Sequence, residues 1–72
     1  MASKLKTQFG DRIRQLRQAK GFTSQEAFAA KCGFDRTYIS GIERGVRNPS
    51  LDAIEIIAKA LGVKVSVLFD DS

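Results

Sequence analysis

One cysteine, Cys32, and no histidine occur among the 72 residues of this chain. No disulfide can therefore close within it, and no zinc site can be assembled from Cys and His ligands. Small domains often lean on such staples, because a chain of this size buries only ~60% of the surface its unfolded form exposes. Burial of apolar side chains has to suffice. Aliphatic, aromatic and sulfur residues make up 43% of the sequence and charged residues 28%, a globular rather than disordered balance. The length has room for one domain, read as residues 1–72. The absence of His also removes the commonest general base near neutral pH, and so small a domain has little room for a deep pocket. The chain is therefore not expected to be an enzyme, to hold a metal or cofactor, or to bind a small-molecule ligand. No apolar run approaches the ~18–20 residues that span a bilayer, and no signal segment opens the chain. It reads as soluble and cytoplasmic, with no membrane partner.

The apolar spacing is helical almost throughout. Leu5, Phe9, Ile13 and Leu16 form one stripe on a helix ending near Lys20, with Gly21 where a left-handed residue suits the C-terminus. A second helix starts at Thr23 or Ser24. Thr23 with Glu26 makes a capping box, whereas Ser24 puts Ala27 in the reciprocal position, and both starts stay open. Ala27, Phe28, Ala30 and Cys32 supply its apolar surface, and Gly33 stops it. Asp35 is expected to cap a third helix running to about Arg44, with Gly45 ending it. Two short helices joined by so tight a glycine-containing turn make a helix-turn-helix, here over about residues 24–44. Pro49 and Ser50 open a fourth helix with Leu51, Ile54, Ile57, Ala58 and Leu61 as its core face, closed by Gly62. In residues 63–69, Val63, Val65 and Val67 alternate with Lys64 and Ser66, which on pattern alone favours a strand. A lone strand has nothing to pair with except across a dimer, so a short helix is the expectation.

Charge is unevenly placed. The net charge is +4, but residues 1–47 hold ten cations against Asp11, Glu26, Asp35 and Glu43, while Lys59 and Lys64 face Asp52, Glu55, Asp70 and Asp71. One part of the molecule should attract polyanions and the other should not. The third helix has two faces. Ile39 and Ile42, with Phe34 ahead of them, point inward; Arg36, Thr37, Ser40, Gly41 and Arg44 point away. Polar, short and basic residues at a helix start suit a major groove. The Arg36 guanidinium can bond guanine O6 and N7 together, and Thr37 can bond a base edge or lie on a thymine methyl; the same spacing equally suits a solvated cation and an ordinary early-helix threonine. Gly41 costs ~1 kcal/mol of helix stability relative to Ala, which fits a place where another surface comes close. Tyr38 sits between the faces, so its ring packs inward or its hydroxyl reaches a base or phosphate. Phosphate contacts would come from the start of the second helix, with its free N–H groups, Ser24 and Gln25, and from Arg47 and Asn48 in the loop after the third, with Arg44 nearby. Simple capping and solvation would use these residues too.

The run Ser24-Gln25-Glu26, then Ala29, Gly33, Asp35-Arg36-Thr37-Tyr38-Ile39-Ser40, Ile42-Glu43-Arg44-Gly45 and Arg47-Asn48-Pro49-Ser50-Leu51 resembles the Cro/repressor-type, or xenobiotic-response-element, helix-turn-helix family. The resemblance covers about residues 9–69, and residues 35–44 are similar to controller proteins of restriction–modification systems. It implies an all-α, compact five-helix, lambda-repressor-like domain, and a cytoplasmic, bacterial or phage transcription regulator; the short length, with no room for an effector domain, adds the expectation that it is autoregulatory. Such a regulator binds double-stranded DNA as a symmetric homodimer on palindromic half-sites. The resemblance implies base contacts from Arg36, Thr37 and Ser40, beside Tyr38, and phosphate contacts from Gln25, Ser40, Arg47 and Asn48, beside Ser24 and Arg44. It places the dimer contact within about residues 51–69, through Val65, Leu68 and Phe69; the alternative is that these three close the monomer core. Arg17 and Glu43 match a structural pair tying the first helix to the third, and Cys32 stands at an aliphatic core position. Two departures stand out: Thr23 lengthens the turn into the second helix by one residue, and Gly41 replaces a side chain that many relatives turn to DNA. The competing reading is an antitoxin or other protein-interaction module with secondary DNA binding.

Overall fold

The computed structural model describes residues 4–69, so Asp70 and Asp71 of the acidic segment lie outside the described residues. Four α-helices are followed by a 3-10 turn: α1 Lys4–Ala19, α2 Gln25–Cys32, α3 Arg36–Glu43, α4 Leu51–Leu61 and the turn Val65–Phe69. The all-α expectation holds, and no strand occurs among the described residues. The expected fifth helix is instead this tighter turn, in which Val67 N bonds Lys64 O three residues back at 3.0 Å. Three-residue hydrogen bonding is the usual form of so short a helical piece.

Ser24, not Thr23, caps α2. Its backbone is extended and its Oγ accepts from Ala27 N at 3.0 Å, while Thr23 is absorbed into the turn. The far end of α2 closes on Gly33, whose φ of 80° lies in the left-handed region that only glycine enters freely. The N–H groups of Gly33 and Phe34 reach back to Ala30 O and Ala29 O at 3.2 and 2.9 Å, satisfying the last carbonyls of the helix. Asp35 occupies the cap position of α3 with extended backbone, yet its side chain makes no capping bond. The helix instead takes its first bonds on the Asp35 main-chain carbonyl, from Tyr38 N and Ile39 N. Ser50 caps α4 through Ala53 N at 3.1 Å.

One core draws on every element: Phe9 and Ile13 of α1, Phe28 and Ala29 of α2, Ile39 and Ile42 of α3, Ile57, Ala58 and Leu61 of α4, and Leu68 of the turn. Leu68 corrects an expectation. It is 0% exposed within the single chain, so it has no surface left for a partner and belongs to the monomer core. Val65 and Phe69 stay exposed, at 41% and 47%. Arg12 fastens the turn to α1 by donating from Nε to Val67 O at 3.0 Å, and the rings of Phe9 and Phe69 meet with centroids 5.0 Å apart. Two expected core residues lie outside. Leu5 is 61% exposed and Leu51 81%, each on the first turn of its helix, where none of the described elements covers the stripe.

α1 crosses the C-terminal end of α3 at very close range. Gly10 is buried there, and a Cβ on it would overlap the Ile42 carbonyl oxygen and come within 2.7 Å of Glu43 O. One turn earlier, Thr7 lies against Gly45. Backbone cannot swing aside as a flexible side chain can, so Gly10→Ala should destabilise the fold by about 1–3 kcal/mol despite alanine's better helix propensity. Urea unfolding checks this; an unchanged or raised midpoint would mean that the crossing is looser than described.

Candidate nucleic-acid interface

α3 has one buried and one open side because its apolar residues recur at helical spacing. Ile39, Ile42 and Glu43 are buried, whereas Arg36, Thr37 and Arg44 are exposed and Ser40 is half-buried. Arg36, Ser40 and Arg44 are four residues apart and share one face with Thr37, so three of the four expected base-contact residues lie with Arg44 on a single polar, basic stripe, and Tyr38 stands at its edge.

The inward side of the helix end is held by charge. Glu43 accepts from Arg17 Nε at 2.7 Å and Nη2 at 3.3 Å, and from Gln25 Nε2 at 3.0 Å. Arg17 also donates from Nη1 to the Phe22 carbonyl at 2.8 Å. The expected ion pair is thus present and almost wholly out of water, with side-chain exposures of 6% and 2%. Its extension to Gln25 and Phe22 is not readable from the sequence. Among the described residues no buried side-chain nitrogen or oxygen lacks a partner.

The residues expected to meet phosphates lie at the start of α2 and at and after the end of α3. At the start of α2, Ser24 is exposed, and its oxygen accepts the capping bond while its O–H remains a donor. Gln25 spends one amide hydrogen on Glu43 and keeps the other. At and after the end of α3 the chain presents Arg44, Arg47 and Asn48, all exposed. Tyr38 is half-buried, its ring edge-on to Phe34 with centroids 5.0 Å apart and interplanar angle 74°. Arg47 Cζ lies 5.1 Å from the centroid of the Tyr38 ring. Gly41 differs from expectation: the space beside it is filled by the chain's own Arg47, whose Cγ a Cβ at residue 41 would overlap. Cys32 is partly buried against the core, and burial pushes its thiol up to about 11. It is therefore protonated and unreactive near neutral pH. No group of His, Cys, Asp and Glu able to hold a metal ion, and no helix long and apolar enough to cross a membrane, occurs among the described residues.

A helix-turn-helix family model matches residues 13–68. The chain belongs to the Cro/repressor-type helix-turn-helix family. Control protein C.BamHI of Bacillus amyloliquefaciens is 51% identical to this helix-turn-helix protein over 70 residues, covering 97% of this chain and 86% of that one. The crystal structure of the restriction–modification controller protein C.AhdI from Aeromonas hydrophila superposes with a TM-score of 0.85 at 48% identity, over 89% of this chain and 96% of that chain. C.Esp1396I, solved as a tetramer in complex with its natural 35 base-pair operator, gives a TM-score of 0.82 at 45% identity, over 93% and 87% of the two chains.

In this helix-turn-helix domain the buried pair can be tested apart from any DNA. Arg17→Met should cost about 3–5 kcal/mol, because the Glu43 charge stays buried with only Gln25 beside it. Arg17→Met with Glu43→Leu should recover most of that loss, since no charge then remains in the core. Urea denaturation of the two variants decides it; a double variant as weak as the single one would mean that the pair's geometry itself is needed.

Proposed function

We propose that this chain is a sequence-reading transcription regulator that binds double-stranded operator DNA as a symmetric homodimer and serves as an autoregulatory controller of a restriction–modification system in the bacterial cytoplasm. In this reading it works by binding alone, without catalysis or cofactor. The observation that carries it is the open stripe Arg36, Thr37, Ser40 and Arg44 on a helix whose opposite side is locked into the core, with Ser24 and Gln25 at the start of α2 and Arg47 and Asn48 in the loop after α3 as further surface donors. A major groove admits such a helix, and groups of this chemistry on either side of a groove-bound helix suit phosphates. The likeness to named control proteins, one of them solved on its operator, supports the same reading.

Arg36 and Thr37 read bases, with Ser40 and the Tyr38 hydroxyl beside them; Ser24, Gln25, Arg44, Arg47 and Asn48 hold phosphates. The dimer forms through the exposed apolar Val65 and Phe69, without Leu68. Two recognition helices then enter successive major grooves ~34 Å apart.

Fluorescence anisotropy on duplex DNA from upstream of the gene, against a scrambled duplex at two salt concentrations, tests the reading. The upstream duplex should bind far more tightly, and both affinities should fall with salt as counterions are released. Arg36→Ala should weaken specific binding by about 1–3 kcal/mol while leaving the scrambled duplex nearly unaffected; equal loss on both would remove Arg36 from base reading. Val65→Glu should shift the protein towards monomer in sedimentation velocity, and an unchanged coefficient would put the interface elsewhere.

A further inference from the structure

Arg47 lies in a loop and is exposed, a setting in which a long cationic side chain normally samples many rotamers. Here three separate features converge on one placement. The N–H groups of Val46 and Arg47 both donate to the Gly41 carbonyl, at 3.0 and 3.1 Å, clipping the loop to the end of α3. The Arg47 side chain then crosses Gly41, and the three atoms nearest to a Cβ built there are Arg47 Cγ, Cβ and Cδ. Its guanidinium ends over Tyr38, three residues and so one helical turn before Gly41, with Cζ 5.1 Å from the ring centroid. Tyr38 is itself steadied edge-on by Phe34.

We propose that Gly41 and Tyr38 are positioning residues that seat Arg47 beside the recognition helix before DNA arrives. This rests on the DNA-binding reading above and adds to it a role for two residues through a third. The missing side chain at 41 opens a track for the Arg47 methylenes, and the aromatic face at 38 receives the cation. An attraction to the ring uses none of the guanidinium's N–H donors, which stay available for a phosphate or base edge. A cation already in place does not have to be ordered on binding, a cost that in affinity amounts to about two- to tenfold for one flexible side chain. Gly41 thus makes room for the protein's own arginine rather than for the approach of DNA.

Gly41→Ala isolates the seat, because the obstacle to a Cβ is a flexible side chain and alanine favours the helix. Thermal unfolding should show stability kept or raised. Affinity for the upstream duplex is then measured by anisotropy for the wild type, Gly41→Ala, Arg47→Ala and the double variant. Gly41→Ala should weaken binding about two- to tenfold alone, and by less than about twofold when Arg47 is already alanine. Equal loss in both backgrounds would overturn the proposal, showing a methyl that meets DNA directly, and so would no loss in either. A DNA-free readout accompanies the cycle. Ring currents of Tyr38, the only tyrosine in a chain without tryptophan, should move the Arg47 methylene protons upfield in NMR spectra. The shift should persist in Tyr38→Phe and vanish in Tyr38→Leu and Gly41→Ala. Wild-type protein that bound DNA with these protons at random-coil positions would overturn the seat alone; wild-type protein that bound no duplex would overturn the regulator reading and this proposal together.

Discussion

At the end of α3 the carboxylate of Glu43 is taken out of water, and hydrogen bonds from Arg17 and Gln25 replace the hydration it gives up. A buried ion pair is weak evidence for stability, since desolvation offsets much of its attraction. What it supplies here is direction. Arg17 comes from α1, Gln25 is the first residue of α2, and Arg17 also holds the Phe22 carbonyl in the turn between them. One side chain on α3 is therefore tied to both preceding helices and to the turn that joins them. The close crossing at Gly10 acts on the same helix end from α1. Rotation of α3 about its axis would break these contacts together, so the side it turns outward is held as firmly as the side it buries.

Much of this was legible from residue spacing. The glycines and Ser50 bound the helices, with the start of α2 left between Thr23 and Ser24, and the 3.6-residue period assigned Phe9, Ile13, Ile39, Ile42, Ile57 and Leu61 to the core and Arg36, Thr37, Ser40 and Arg44 to the open side. Periodicity assigns a face, however, and says nothing of how far the covering element extends. Leu5 and Leu51 belong to apolar stripes and yet stand in solvent at helix ends. Leu68 fails the other way: the resemblance implied a dimer contact, but the tight turn folds this leucine wholly inward, while Val65 and Phe69 keep much of their surface. Contacts that depend on loop path were beyond pattern altogether. Arg47 meets Tyr38 nine residues back only because the loop is clipped to the Gly41 carbonyl, and Gly10 is unremarkable in sequence until the end of α3 is laid across it.

The faces of the domain divide their duties cleanly. The exception is Gln25, which is spent in part on Glu43 and in part on the surface, where the proposed reading gives it a phosphate. The beginning of α3 is free of that double duty. Asp35 forms no side-chain cap, and Arg36 and Thr37 are exposed outside the core. Exchanges at these three consecutive positions therefore fall within the range of surface substitutions, usually within ±0.5 kcal/mol. On the proposed reading of Arg36 and Thr37, proteins sharing this scaffold can drift apart in what they recognise without first acquiring a compensating change elsewhere. Several of them could then occupy one cell while each ignored the others' targets.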